Sequence, residues 1–286
     1  MISVVIPAYN EGAALGEVLA SVRSAMEKLR EEYELIVVDD GSTDRTREIS
    51  SAAGARVIRH PVNRGTGAAR TTGVRQARGD RVVMLDGDGT YPAESIPALL
   101  QSLNEHDMVV GARRYERGTL PLLRRPTKYL IRRLASYLAG VEIPDLNSGM
   151  RAFKREIALR FFGILPATHS WVGTITLAFL ANGHSVGFVP IDYFPRKGKS
   201  SFHPIRDTYN YLLLVIRTVM YFNPLKFLLP ISLTIATAGI LSTVWHIARW
   251  GRIQQMDVIL IVGGINIGVL GLLADLIVVG RKENKG

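Results

Sequence analysis

The sequence predicts an α/β domain with a mostly parallel sheet, followed by interfacial helices and two transmembrane helices. Apolar runs of strand length alternate with helix-length segments over roughly the first 112 residues. Two later runs, at residues 227–247 and 258–279, are long and apolar enough to cross a bilayer. The 286-residue chain contains no cysteine, so any bound metal must be held by oxygen or imidazole ligands.

Five strands and three intervening helices are predicted in the N-terminal region. The apolar runs expected to form strands are ISVVI, ELIVV, ARVI, RVVML and DMVV. The segment at residues 13–30 has apolar residues at helical spacing, residues 42–53 begin with a serine cap, and residues 92–104 open with a proline. Because these crossovers are of helix length, the sheet should be parallel, with ligands bound beyond the carboxyl ends of its strands.

The glycine-rich segment NRGTGAAR fits a dinucleotide-binding fingerprint poorly. It provides Gly65 and Gly67, but Arg70 stands where a third small residue is required, and the segment follows the third predicted strand instead of the first. A nicotinamide-dependent oxidoreductase is therefore disfavoured. A tight turn with close helix packing is the expected structure.

Acidic residues follow several predicted strands, and one pair among them has the spacing of a metal site. Asp86 and Asp88 stand two apart in the stretch LDGDG, with a glycine on either side of Asp88. They can approach one hard cation that bridges two phosphate oxygens, and the glycines allow the backbone to come close. A solvated acidic turn would contain the same two residues, so the surrounding motifs decide the interpretation.

Four motifs in order make the chain similar to the family-two glycosyltransferases, which have a Rossmann-like GT-A fold. The motifs are VVIPAYNEG, ELIVVDDGSTDRT, NRGTGAARTTGVRQARGD and VVMLDGDGTYP. The later DLNSGMRAFKRE and YFPRKGKSSF, followed by the two spans, resemble dolichol-phosphate mannose synthases and other polyprenyl-phosphate glycosyltransferases. The resemblance implies metal-dependent, inverting transfer of a hexose or N-acetylhexosamine from a nucleotide-sugar to a polyprenyl phosphate, with Mg²⁺ or Mn²⁺ as cofactor.

The resemblance also implies roles for individual residues. Donor-binding positions are Pro7, Tyr9, Glu11, Val38, Asp40, Asp86 and Gly87, metal-binding positions are Asp86, Asp88 and Thr90, and catalytic positions are Asp86, Asp88 and Asp145. Judged from the residues alone, Asp40 could instead cap a helix that starts near Thr43. Many mannose-transferring members carry Gln where this chain has Thr90, so the transferred sugar is not assigned.

The acceptor is expected to need cations more than a base. A polyprenyl phosphate is already anionic at neutral pH, so no histidine is required to activate it, and none is expected beside the donor motifs. The positions expected to bind the acceptor phosphate are Arg114, Arg125, Lys128, Arg132, Ser148, Arg196 and Lys199. Basic and apolar residues are interspersed around residues 120–140 as in an interfacial helix, where the same cations could simply bind lipid headgroups.

Residues 1–222 are predicted to form a cytosolic catalytic domain, with interfacial helices at about 120–140 and 204–222, and residues 223–286 a membrane hairpin. Positive charge flanking the spans places both termini in the cytoplasm, although Arg249 and Arg252 in the connector weaken that signal. The net charge of +10 suggests an anionic partner, and its clustering near the spans favours membrane lipid over nucleic acid. Self-association is left open.

Two alternatives remain, one within the enzymes and one of a different class. A processive membrane polysaccharide synthase is disfavoured because a Gln-x-x-Arg-Trp motif is missing from the sequence. A non-catalytic module that binds lipid or nucleic acid is disfavoured because acids are present at every matching donor position.

Overall fold

The computed structural model describes residues 1–114, 140–168, 170–195 and 223–283, together with the single residues 133, 136, 137, 216 and 220. The chain divides into two compact units, Met1–Leu214 and Val215–Gly286.

The first unit is built on a seven-stranded sheet in the order β3-β2-β1-β4-β6-β5-β7. Its strands are β1 (Ile2–Ala8), β2 (Tyr33–Asp39), β3 (Arg56–Arg59), β4 (Arg81–Met84), β5 (Met108–Arg113), β6 (Arg151–Lys154) and β7 (Val186–Ile191). Only β6 runs antiparallel to its neighbours among these strands, and every other pair is parallel. The predicted mostly parallel sheet is therefore confirmed.

Helices cover both faces of this sheet. They are α1 (Leu15–Leu29), α2 (Thr46–Ala52), α3 (Thr66–Gln76), α4 (Ile96–Ser102), α5 (Arg155–Leu159) and α6 (Trp171–Ala181), with a 3₁₀ turn at Ala93–Ser95 before α4. α1 buries a stripe at helical spacing that packs on β1 with Val4 and Ile6. α3 packs near Val5, where a side chain on Gly73 would overlap the valine. Covered on both faces, β1 is buried throughout and its sequence is almost continuously apolar.

The sequence patterns do not predict two of the strands, β6 and β7, and each has a physical reason. β6 has four residues and includes Arg151, a charge that normally marks a surface position but is fully buried here. β7 contains Gly187 and Pro190, both unfavourable in a strand interior. The sheet tolerates Pro190 because β7 is an edge strand, where a backbone N–H is not needed for pairing on the outer side.

The second unit is a pair of long helices, α7 (Pro224–Trp250) and α8 (Gln255–Glu283). Gly251 ends α7 in a left-handed conformation with φ of 64°. Small residues allow close contact: a Cβ at Gly264 would lie 2.6 Å from the Ala236 nitrogen, and the Ser232 hydroxyl donates to the Gly264 carbonyl at 2.7 Å. In the most apolar 18-residue stretch of each helix, only 11% (α7) and 17% (α8) is buried inside the structure, unlike the core helices of a soluble protein. Two exposed apolar helices of this length indicate a membrane protein.

Candidate functional site

The donor-motif residues lie at one edge of the sheet. The loops after β1, β2 and β4 leave the carboxyl ends of parallel strands and therefore meet there. The segment that precedes β6 reaches the same edge, because β6 is antiparallel and begins where its neighbours end. The fold thus brings residues 9–12, 40–46, 86–91 and 145–150 to a common region.

The first two donor motifs are aligned by sheet register. Pro7 on β1 lies directly opposite Val38 on β2, and both are buried. Beyond them, the side chain of Tyr9 is 44% exposed, whereas Glu11 is buried. An exposed tyrosine ring beside buried strand ends can stack against a planar ligand group.

Hydrogen bonds join the loops after β1 and β2 into a single surface. Asn10 has a φ of 55°, a left-handed conformation that asparagine tolerates better than most residues. Four backbone N–H groups donate between the loops: Asn10 N to Ser42 Oγ at 3.0 Å, Glu11 N to Thr46 Oγ1 at 2.9 Å, Gly12 N to Asp44 Oδ2 at 2.9 Å and Thr43 N to Asn10 Oδ1 at 2.9 Å. The two motifs are therefore held in fixed relative positions.

Asp40 holds a neighbouring loop and does not cap α2. Its Oδ1 atom lies 2.6 Å from His60 Nδ1 and accepts the Arg64 backbone N–H at 3.0 Å, while Oδ2 accepts the Gly65 N–H at 2.8 Å. The helix-cap alternative is therefore wrong, since Asp44 is the residue that accepts the N–H of Thr46 at the start of α2. A donor that contacted Asp40 would have to bind carboxylate oxygens that already accept hydrogen bonds from this loop.

His60 corrects a second expectation. No histidine was expected beside the donor motifs, yet His60 is buried against Asp40, and its Nε2 lies 2.9 Å from Thr72 Oγ1. The register of β2 and β3 pairs Asp39 with Arg59, which places the following residues, Asp40 and His60, side by side. Aligning the ends of the two predicted parallel strands could have identified this contact.

The glycine-rich segment forms the close packing that was expected. Gly65 has a φ of 94°, and a Cβ there would lie 2.5 Å from the Ala167 carbonyl oxygen. The same oxygen accepts the N–H of Gly67 at 2.9 Å. These glycines therefore let the start of α3 approach the 166–168 backbone.

Asp86 is ion-paired with a buried arginine, Arg70, to which the sequence motifs assign no role. Arg70 Nη2 lies 2.7 Å from Asp86 Oδ1. A Cβ on Gly149 would overlap the other carboxylate oxygen of Asp86, so a side chain at position 149 would displace the Asp86 carboxylate. In the sequence, Arg70 departs from a dinucleotide fingerprint, and that pattern does not predict its buried position on α3.

Asp88 is held by the residue two positions later. Its Oδ1 accepts the Thr90 backbone N–H at 3.1 Å and the Thr90 hydroxyl at 2.6 Å. Thr90 itself is buried, and its carbonyl accepts the Phe194 backbone N–H at 2.9 Å. Burial chiefly raises the pKa of the neighbouring Tyr193. The Thr90 side chain thus orients Asp88, and its predicted role as a direct metal ligand would require that hydroxyl to turn.

Asp145 is engaged by Arg113 in a bidentate ion pair. Arg113 Nε and Nη2 donate to its two carboxylate oxygens at 2.7 and 3.0 Å, and the Asn147 N–H donates at 3.0 Å. Burial opposes ionisation of this carboxyl, but the hydrogen bonds and charge of Arg113 outweigh it and lower the pKa of Asp145. A carboxylate so paired is a poor proton acceptor, and its position suits a role in fixing the site's geometry.

Two tyrosines connect these groups. The Tyr91 hydroxyl accepts the Gly149 N–H at 2.7 Å, and burial raises the pKa of Tyr91 above its ordinary value. Its ring packs edge-on against Tyr193 with centroids 5.3 Å apart, and the Arg113 guanidinium lies 5.1 Å from the Tyr193 ring centroid. Both tyrosines stand in motifs quoted above, VVMLDGDGTYP and YFPRKGKSSF, but those motifs assign neither ring a role.

Ser148, which is expected to bind the acceptor phosphate, is enclosed by the protein. It is fully buried, and its hydroxyl lies 3.5 Å from the Met150 carbonyl, while its own carbonyl accepts a hydrogen bond from Arg151. Direct contact with a lipid phosphate, as expected from the motif, would therefore require rearrangement of this segment. Burial, followed by the charge of Arg70, lowers the pKa of Arg151 to about 9.

Two of the residues expected to bind the acceptor phosphate, Arg114 and Ser148, lie in the part of the chain that the structure describes, and of these two Arg114 is exposed to solvent. Its side chain is 56% exposed and lies 3.7 Å from Asp192, which is also exposed. Such a surface pair contributes little stability, so Arg114 can exchange partners at small cost. Arg125, Lys128, Arg132, Arg196 and Lys199, with most of both predicted interfacial helices, lie outside the described residues.

The carboxylates present suit an ion that also binds substrate. In the described part of the chain, no group of three or more His, Asp or Glu side chains has metal-binding geometry. Mg²⁺ commonly binds through one or two carboxylates together with substrate phosphates. Asp86 and Asp88 fit that pattern.

Comparison with known proteins gives a consistent picture. Residues 3–162 match the family described as glycosyl transferase family 2, and residues 223–279 match the one described as GtrB C-terminal hairpin. The chain is 31% identical to an undecaprenyl-phosphate 4-deoxy-4-formamido-L-arabinose transferase of Shewanella sediminis, over 96% of this chain and 86% of the relative. It is 34% identical to a dolichyl-phosphate hexose transferase of Haloferax volcanii, over 71% of this chain and 87% of the relative.

A solved structure has a similar fold over most of this chain. Glucosyl-3-phosphoglycerate synthase from Mycobacterium tuberculosis, in complex with Mn²⁺, uridine diphosphate and glucosyl-3-phosphoglycerate, gives a TM-score of 0.58 at 28% identity. The match covers 77% of this chain and 78% of that enzyme.

Proposed function

Because this chain belongs to glycosyl transferase family 2, we propose that it transfers a hexose or N-acetylhexosamine from a nucleotide-sugar to a polyprenyl phosphate. The chain is a glycosyltransferase by family, and relatives that match most of its length are named for transfer to undecaprenyl or dolichyl phosphate. The matching C-terminal hairpin supports a lipid acceptor, since a membrane-held enzyme meets such an acceptor at the bilayer surface.

The observation that carries the proposal is the carboxylate pair Asp86 and Asp88 at the carboxyl edge of the sheet. The pair stands beside two loops that hydrogen bonds lock together, and the nucleotide would occupy those loops. Pro7, Tyr9, Glu11 and Val38 would contact the base and ribose. Asp40 would act through the loop at residues 63–65. The backbone of Gly87 would contact the donor, since a Cβ at Gly87 would point towards Leu15 and Ile6.

Asp86 and Asp88 would hold a divalent cation together with donor oxygens. A bound Mg²⁺ or Mn²⁺ would neutralise the charge of the departing diphosphate. Thr90 fixes the orientation of Asp88, and Arg70 fixes that of Asp86. The similar mycobacterial enzyme has been solved with Mn²⁺ and uridine diphosphate, which supports the use of a divalent cation in this fold.

The nucleophile in this proposal is an oxygen of the lipid phosphate. It attacks the anomeric carbon, the bond from that carbon to the donor diphosphate breaks, and the nucleoside diphosphate leaves with the bonding electrons. Attack from the face opposite the leaving group inverts the anomeric configuration. No proton has to be removed, which agrees with Asp145 being committed to Arg113.

Arg114 is proposed to bind the acceptor phosphate, with Arg125, Lys128, Arg132, Arg196 and Lys199 as further candidates. Two phosphate groups must come close together in the reaction, and cations reduce their mutual repulsion. The proposed topology places residues 1–222 and both termini in the cytoplasm, with α7 and α8 crossing the membrane.

A donor screen tests this function. The purified full-length protein is incubated with Mn²⁺ or Mg²⁺, a short polyprenyl phosphate and a panel of labelled nucleotide-sugars. We expect one donor to give a lipid carrying a single sugar. A sugar polymer would instead indicate a polysaccharide synthase, and absence of lipid-linked product from every donor would favour a non-catalytic binding module.

A further inference from the structure

A buried guanidinium is directly ion-paired with one member of the carboxylate pair. Arg70 is 3% exposed, and its Nη2 lies 2.7 Å from Asp86 Oδ1. Its Nε atom is buried and has no hydrogen-bond partner among the residues that the structure describes. A buried cation with incomplete hydrogen bonding is costly unless another anion completes its surroundings.

A second buried cation adds to the positive charge of this region. Arg151 is fully buried, and the charge of Arg70 contributes to the lowering of its pKa, so the two guanidinium groups repel one another. Arg113, by contrast, is matched by the bidentate contact with Asp145. The two carboxylates that face the donor therefore lie in a region where Arg70 and Arg151 offset their negative charge.

The charges of these side chains favour a cation bound to a diphosphate over a free cation. A free divalent cation would be attracted by Asp86 and Asp88 and repelled by Arg70 and Arg151. A nucleoside diphosphate would be attracted by the same guanidinium groups, and its oxygens would complete the coordination that two carboxylates leave unfilled. Each ligand thus improves the site for the other.

We infer that Arg70 is a positioning residue that makes divalent-cation binding at Asp86 and Asp88 depend on the nucleoside diphosphate. This inference rests on the proposed nucleotide-sugar donor. Arg70 holds Asp86 by its ion pair and lowers the affinity of the free ion through its charge. Linkage then requires that the cation raises diphosphate affinity by the same factor by which the diphosphate raises cation affinity.

The test measures Mn²⁺ binding directly and does not depend on turnover. Free Mn²⁺ is followed by electron paramagnetic resonance while the full-length protein in detergent is titrated, alone and with saturating uridine or guanosine diphosphate. For the wild type we expect weak binding of Mn²⁺ alone and at least about tenfold tighter binding with one of the diphosphates, a coupling within the usual range. For Arg70→Gln we expect tighter binding of Mn²⁺ alone and a clearly smaller coupling factor.

Two further variants interpret the result. Arg70→Lys keeps the positive charge and should retain most of the coupling. Arg56→Gln removes an arginine that pairs with Glu34 away from the site, and it should match the wild type in both titrations.

Three outcomes would overturn the inference: tight Mn²⁺ binding by the wild type without nucleotide, no effect of either diphosphate, or a folded Arg70→Gln protein with unchanged coupling. If Arg70→Gln does not fold, the first two outcomes and the Arg70→Lys titration still decide. A donor screen without product would contradict the proposed reaction while leaving this coupling measurable. An active wild-type enzyme that shows no coupling between Mn²⁺ and the diphosphate would contradict only the role of Arg70.

Discussion

Asp88 is the residue on which the proposed chemistry depends most directly. Its carboxylate is buried and oriented by two hydrogen bonds from Thr90, and the neighbouring Asp86 is ion-paired with Arg70. In the proposed mechanism, Asp88 therefore supplies a buried and oriented negative charge to a cation at the donor diphosphate.

Asp88→Asn should lower kcat for sugar transfer by about 10²–10³-fold, the loss typical when one electrostatic stabiliser of a transition state is removed. Asparagine has nearly the same shape and can still accept hydrogen bonds from Thr90, so the fold should survive. Initial rates over a range of Mn²⁺ concentrations check this. Asp80→Asn, at an exposed acid that pairs with the N-terminus, is the control, and full activity of Asp88→Asn with unchanged Mn²⁺ dependence would remove Asp88 from the site.

Arg114→Ala should raise the KM for polyprenyl phosphate much more than the KM for the donor. Arg114 is exposed at the end of β5 and only loosely paired with Asp192, so it is available to an anionic acceptor. The measurement is a pair of KM determinations with the other substrate saturating. Arg160→Ala removes a similarly exposed arginine from a surface ion pair and should change neither constant. Equal increases in both constants for Arg114→Ala would contradict an acceptor role.

The ion pair of Asp145 with Arg113 predicts a pH-dependent contribution to stability. The pKa of Asp145 is lower in the folded protein than its ordinary value, so its ionisation stabilises the fold above the unfolded pKa of about 4. That contribution is lost as the pH falls through the folded pKa. Thermal unfolding of wild type and Asp145→Asn should differ most at neutral pH and converge in acid. A difference that stays constant with pH would mean that Asp145 acts through shape alone.

At the scale of elements, the close approach of α7 and α8 depends on particular glycines. A Cβ at Gly264 would lie 2.6 Å from the Ala236 nitrogen, whereas a Cβ at the adjacent Gly263 would meet nothing within 4 Å. Both positions belong to the same apolar helix, α8. They differ in the face of the helix that they occupy, and only the face with Gly264 contacts α7.

Gly264→Leu should therefore destabilise the hairpin, by about 1–3 kcal/mol if it resembles other overpacked interiors. Gly263→Leu is the matched control and should leave stability close to wild type. The thermal midpoint of the detergent-solubilised protein, followed by size-exclusion chromatography of heated samples, measures the difference. Equal behaviour of the two variants would mean that the helices do not pack through the face containing Gly264.

For the whole molecule, the proposed topology places the sheet domain in the cytoplasm and the α7–α8 turn on the opposite side of the membrane. The chain has no cysteine, so a single introduced thiol reports on its own location. Ser51 and Ile253 are both exposed, the first on α2 and the second in the turn.

In intact cells, a membrane-impermeant maleimide should label Ile253→Cys and leave Ser51→Cys unlabelled. Permeabilised cells should give labelling of both variants, and the cysteine-free parent should give none. The reverse pattern in intact cells would invert the topology, and labelling of neither residue would indicate that the turn does not reach the far side.

The sequence determined the features that depend on residues close together in the chain. Alternating apolar runs specified the first five strands, unbroken apolar segments specified α7 and α8, and the motif containing Asp86 and Asp88 marked the candidate site. Each of these patterns arises from local backbone periodicity or from a continuous apolar segment. It can therefore be recognised in the sequence without knowledge of the tertiary structure.

Only the tertiary structure decided which side chains meet at the site. Arg70 pairs with Asp86 across 16 positions, His60 with Asp40 across 20, and Arg113 with Asp145 across 32. These partners are set by strand order, by the antiparallel insertion of β6 and by helix packing on the sheet. Because such contacts depend on the spatial arrangement of whole elements, the pattern of any single segment determines the acids of the site but leaves their counter-charges unspecified.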